Sequence, residues 1–151
     1  MFSVRNILYC NDFQFGNSAP KNRYLIILHK DADEIVILSA ITSQKYVPSS
    51  GYNSGCNNLP EKSISFYHFP KGQEVGERGF KFPKDSFIYS SYNVFDRDST
   101  EIESLKTNNV INIKDKLLED QYFDLVYCLY KSDKTKRGIK RKFEKVLEMM
   151  P

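Results

Sequence analysis

Two apolar runs, RYLIILH (23–29) and EIVILSAI (34–41), are held apart by nothing longer than the polar stretch KDADE (30–34). A parallel pairing needs a crossover of a dozen or more residues, so two runs this close in sequence are expected to return on each other as an antiparallel hairpin. RYLIILH is almost continuously apolar rather than alternating, which is the pattern of a strand covered on both faces. A central strand is therefore predicted there, with its hairpin partner beside it. The acids of the turn do not form a calcium loop, because the glycine and terminal glutamate that such a loop needs are missing.

The remaining elements follow from the same periodicities. NILYCNDFQF (6–15), SISFYHF (63–69) and DSFIYSSYNVF (85–95) read as strands, KGQEVGERGF (71–80) as a glycine-punctuated hairpin, and the stretch from Val110 to Ile113 as a short strand. GNSAPKN (16–22) is a loop, and the polar run from Thr42 to Lys62 is a long connection of the kind that often binds or covers a ligand. Leu117, Leu118, Tyr122, Leu125, Val126 and Leu129 fall at helical spacing and predict a helix over about 115–131. Ile139, Phe143, Val146 and Leu147 predict a second over about 136–149. Short strands followed by helices give an α+β, mainly β fold: a small antiparallel barrel with C-terminal helices packed outside. The length suits one domain, residues 1–151, with the barrel in about 5–113 and the helical extension in about 114–150.

The hydrophobic fraction of 40% and charged fraction of 27% are those of an ordinary globular protein. No apolar run approaches the roughly 18 residues of a membrane span. The start, MFSVRNILYCND, lacks the apolar core and cleavage site of a secretory leader, so a cytoplasmic location is expected. Cys10, Cys56 and Cys128 are odd in number and contain no CxxC pair, which argues against a disulfide framework and against zinc. Cys10 and Cys128 sit in apolar segments and are expected in the core, with Cys56, in GYNSGCNN, a bystander. The net charge of +3 conceals an asymmetry: KSDKTKRGIKRK (131–142) carries seven Lys or Arg against Asp133 alone. Such a patch attracts polyanions or simply forms the solvated face of a helix, and both readings stand at this point.

Familiar catalytic signatures are missing. His29 and His68 have no partners at metal or acid–base spacing and read as structural, and GxSxG, HExxH and GK[ST] are all absent. Chemistry in this chain would have to run on Arg, Thr and Ser. In the predicted hairpin Arg23 opens one strand and Thr42 ends its partner, which puts both at the same end of the sheet. A guanidinium fork beside a hydroxyl is a natural cradle for a phosphate.

The ordered set Lys21-Asn22-Arg23, apolar strand, turn, apolar strand, Ile41-Thr42-Ser43, long loop and Lys84-Asp85-Ser86-Phe87-Ile88 resembles the MazF/PemK family of toxin endoribonucleases over about residues 5–100. The resemblance implies an SH3-like barrel, a homodimer, neutralisation by an antitoxin protein, and cleavage of single-stranded RNA without metal or other cofactor. It assigns catalysis to Arg23 and Thr42, with Ser43 as a neighbouring donor. Lys21 and Ser86 lie in the matching motifs and are expected to contact the substrate, and Tyr89 and Tyr92 are expected to stack on unpaired bases. The chain departs from the family at Tyr24, where a proline is usual, and at Ser91, Tyr92 and Val94, where an acid, Gln and Arg are often found. Two other readings are a non-catalytic barrel that binds a protein, and a nucleic-acid-binding module built on the basic 131–142 segment.

Overall fold

The strand Lys21–Lys30 (β2) occupies the middle of a five-stranded antiparallel sheet, as its apolar run requires. The computed structural model describes residues 2–13, 21–31, 35–42, 52–60, 63–108 and 110–151. On one side β2 pairs with Asn6–Phe13 (β1), with Tyr9 opposite Tyr24; on the other it pairs with Ile35–Ala40 (β3), with Leu25 opposite Ala40. The hairpin read from the sequence is thus present. A second, three-stranded antiparallel sheet is built from Gly55–Leu59 (β4), Ile64–Phe69 (β5) and Ser86–Tyr89 (β6). Val94–Asp98 (β7) and Ile111–Lys116 (β8) form the edges of the first sheet, whose order is β7-β3-β2-β1-β8.

Both faces of the first sheet are covered, which explains why β2 does not alternate. Ile7, Ile26, Leu28 and Ile37 face the main core, shared with the second sheet and two helices, Glu119–Lys131 (α2) and Arg137–Glu148 (α3). Leu8, Leu25 and Ile27 face the other way, onto Ile102 of the first helix of the chain, Ser99–Thr107 (α1). All of these strand residues are at most 1% exposed, and each such burial is worth about 1.5–3 kcal/mol. Among the described residues strand exceeds helix, 41% to 27%, so the fold is α+β, mainly β. Among the described residues the strands do not close into a barrel. The two sheets meet at an isolated bridge between Thr42 and Phe87, where the chain leaving β3 crosses to β6.

Several expectations are corrected. The run 85–95 is two strands in two different sheets, broken by a turn in which the Asn93 side-chain oxygen accepts the Tyr89 N–H at 2.8 Å. The helix expected from residue 115 starts at Glu119, because Asp115 and Lys116 still belong to β8. The long polar connection contains a strand, β4, that composition does not announce. Cys56 is no bystander: it is disulfide-bonded to Cys128, tying β4 to α2, and only Cys10 is free. No helix among the described residues is long and apolar enough to cross a membrane.

Candidate functional site

The hairpin of β2 and β3 places Arg23 and Thr42 at one end of the first sheet, and there both line a cleft of about 280 Å³. Its remaining walls come from four places: Tyr9 on β1; Lys21, Asn22 and Tyr24 on β2; Ile41, next to Thr42; and Pro83 and Lys84 with Ser86, which opens β6. Four residues expected at the site from sequence, Lys21, Arg23, Thr42 and Ser86, are therefore gathered in one place although up to 65 positions apart. Ser43 and the adjoining connection, 43–51, lie outside the described residues.

Thr42 is held rigidly by its backbone. Its N–H donates to the Phe87 carbonyl at 3.0 Å, and its own carbonyl accepts the Phe87 N–H at 2.8 Å. The preceding Ile41 N–H donates to the Tyr24 carbonyl at 2.9 Å, so the backbones bearing Thr42 and Arg23 are locked together. Ser86 is buried and its hydroxyl donates to the Lys84 carbonyl at 2.8 Å, which shapes the segment that presents Lys84. Its proton is thus already committed. Lys21 and Lys84 are exposed and Arg23 is half-buried.

The cleft is electropositive. Lys21, Arg23 and Lys84 line it, and no carboxylate does among the described residues. Asp85, next in sequence to Lys84, is engaged elsewhere: it accepts the Lys71 N–H at 3.0 Å and pairs with His68 Nε2 at 3.2 Å. His68 is itself stacked on Phe87, so it belongs to the packing behind Thr42 and not to the cleft lining. Among the described residues no group of three or more His, Cys, Asp or Glu is arranged to hold a metal.

Sequence reasoning missed the aromatic wall. Tyr24 contacts Tyr9 at 4.9 Å between ring centroids, and Phe80 and Phe82 each at 5.4 Å, all in edge-type geometry. Burial, and then the neighbouring Tyr9, raise the Tyr24 phenol above its ordinary value, so it stays neutral. Phe80 and Phe82 are delivered by the 71–82 segment, which the buried Asp115 carboxylate organises by accepting N–H groups of Arg78, Phe80 and Lys116. Gly76 lies so close that a Cβ there would stand 2.1 Å from Asp115 Oδ2, and only glycine fits. The register Tyr9 opposite Tyr24 was the available signal: two tyrosines on paired strands, one beside the expected catalytic arginine.

The stacking residues expected from sequence are placed differently. Tyr89 is fully buried, between Phe87 at 5.9 Å and Tyr92 at 5.4 Å, and presents no free face to a base. Tyr92 is 40% exposed but does not line the cleft. Nor does the basic segment adjoin it. Lys142 of α3 pairs with Asp31, just beyond the opposite end of β2, and β2's ten residues span about 30 Å. Compared with protein-family models, curated proteins and solved structures, the chain matches none.

Proposed function

We propose that this chain is a toxin-like endoribonuclease of the MazF/PemK kind, acting on single-stranded RNA without metal and held in check by an antitoxin protein. The observation that carries the reading is the convergence of Arg23, Thr42, Lys21 and Lys84 on one cleft that no carboxylate lines among the described residues. In this reading the two sheets, joined at Thr42, are the parts of an SH3-like barrel, and the working unit is a homodimer.

The chemistry follows from the residues at hand. The ribose 2′-oxygen bonds to the adjacent phosphorus while the bond to the 5′-oxygen breaks. The 2′ proton is lost and the 5′-oxygen gains one, leaving a 2′,3′-cyclic phosphate and a 5′-hydroxyl. Negative charge grows on the non-bridging oxygens, and preorganised donors aimed at them stabilise the transition state more than the ground state. Arg23 supplies a permanent charge and a planar fork. It acts by electrostatics, since a guanidinium stays protonated near neutrality and does not serve as a base there. The Thr42 hydroxyl adds a donor, carried on a backbone that two hydrogen bonds hold to Phe87.

The test is cleavage of a mixed-sequence single-stranded RNA in EDTA by the parent, Arg23→Ala and Thr42→Ala proteins, with the product ends mapped. Cyclic-phosphate ends from the parent, and loss of about a hundredfold or more in rate in each folded variant, are expected. Intact RNA with a folded, antitoxin-free parent would remove the enzymatic reading and leave a protein-binding relative of the fold.

A further inference from the structure

We propose that Tyr9, backed by Tyr24, is the surface on which this cleft holds an unpaired nucleobase. The inference rests on the polyanion-binding reading of the cleft, and does not depend on cleavage.

Single-stranded nucleic acids are bound by a cationic track for the backbone and an aromatic face for the bases. The track is present in Lys21, Arg23 and Lys84. The residues expected to supply the face do not: Tyr89 is sealed in the protein and Tyr92 lies off the cleft. Tyr9 does line the cleft, is only partly buried, and sits across the β1–β2 pairing from Tyr24, one position from Arg23. A base on Tyr9 would thus have its own phosphate within the reach of the residues assigned to the reacting centre.

Tyr9 is also held in place. Tyr24 meets it edge-on, and Tyr24 is wedged in turn against Phe80 and Phe82, so the ring pair has little freedom to lose on binding. On β8 the Lys114 ammonium lies 5.7 Å from the Tyr9 ring centroid. It lies over the ring, and this flexible side chain can swing aside to a neighbouring phosphate when a base takes its place. Ring and charge are therefore interleaved, as a single strand requires and a rigid duplex does not.

The experiment uses short oligonucleotides that cannot be cleaved, with 2′-deoxyribose throughout, in two forms: one bearing 2-aminopurine among its bases, and one with abasic sites in place of the bases. Binding to the parent, Tyr9→Phe, Tyr9→Leu and Tyr9→Ala proteins is followed by anisotropy, and stacking by quenching of 2-aminopurine fluorescence. Tyr9→Phe is expected to bind the base-bearing strand within about threefold of the parent and to keep the quenching. Tyr9→Leu and Tyr9→Ala should lose on the order of tenfold in affinity, together with the quenching, because one base stack is given up. All four should bind the abasic strand alike, since the cations are untouched.

Tyr9→Leu keeps apolar bulk, so the test survives if Tyr9→Ala does not fold. Equal loss on both strands, or unchanged binding and quenching in Tyr9→Leu, would overturn the proposal, as would a parent that binds neither strand. A parent that binds with base-dependent quenching yet cuts no RNA leaves Tyr9 as the platform and removes only the ribonuclease reading. RNA cleavage unaffected by Tyr9→Leu in both rate and KM would do the reverse.

Discussion

A single buried carboxylate organises the wall behind the cleft. Asp115 is only 7% exposed, and its two oxygens accept N–H groups of Arg78, Phe80 and Lys116 at 2.7–3.2 Å. Replacing it with alanine strands these donors away from solvent, at a cost of about 3 kcal/mol. Asp115→Ala should therefore lower the midpoint of urea unfolding markedly, and should also weaken oligonucleotide binding by freeing Phe80 and Phe82 from Tyr24. A variant that kept its stability would show that the turn is held by backbone contacts alone. Cys10 offers a second check at this scale. Burial, with Asp12 adding to it, pushes its thiol up from 9.0 to about 11, so in the folded protein it stays protonated. The unfolded chain then releases this proton first, and stability should fall as pH rises from about 9 to 11. The buried phenols of Tyr67 and Tyr122, also raised, act in the same direction. At pH 8 a thiol reagent should leave Cys10 unmodified until urea unfolds the chain; rapid labelling of the native protein would contradict its burial.

At the scale of elements, the sequence was most legible where periodicity was strong. The β2–β3 hairpin, the apolar faces of α2 and α3 and the common location of Arg23 and Thr42 were all readable, because each follows from local spacing. What was illegible depends on partners distant in sequence. GCNNL is a poor strand by composition, with Gly and two Asn, yet β4 forms because β5 pairs with it, Asn57 bonds the Asn53 backbone, and Cys56 is tied to Cys128, 72 positions away. Helix α1 was missed although a signal was present in Asp98-Ser-Thr-Glu101: Asp98 accepts the Thr100 N–H at 2.9 Å and caps its first turn. The break between β6 and β7 turns on one side chain, Asn93, inside an otherwise strand-like run. The disulfide carries its own prediction. Closing a loop of 72 positions restricts the unfolded chain by up to about 4 kcal/mol, so reduction, or Cys56→Ser, should shift the urea midpoint downward. Amide exchange should rise first in β4, whose residues other than Asn57 are not buried. Equal midpoints under oxidising and reducing conditions would mean that β5 pairing alone secures the strand. The bond also weighs against the cytoplasmic location expected from the sequence, since disulfides persist mainly in oxidising compartments.

Across the whole molecule, two groups of cations stand out, toward opposite ends of one strand. Lys21, Arg23 and Lys84 surround the cleft where β2 begins, whereas α3 is anchored where β2 ends, by Lys142 on Asp31 and by Val146 packing near His29. Lys142, the anchor of the basic helix, thus lies about 25 Å along β2 from Arg23, and no residue of the helix lines the cleft. It is also part of the fold. Ile139, Phe143 and Val146 are at most 6% exposed and belong to the main core, so deleting the helix would collapse the structure and test nothing about charge. Charge reversal at the exposed Lys136, Arg137 and Arg141 keeps that core and isolates the question. If the cleft is where RNA is bound and cut, this triple variant should retain cleavage within about threefold near 0.15 M salt, because charges farther apart than the ~8 Å screening length act weakly on one another. The paired change Lys21→Glu and Lys84→Glu, at the cleft itself, should reduce oligonucleotide affinity tenfold or more and flatten its dependence on salt, since two phosphate contacts are lost. The opposite pattern, with binding abolished by the α3 changes and indifferent to the cleft pair, would place the nucleic acid on the helix and make Arg23 and Thr42 structural.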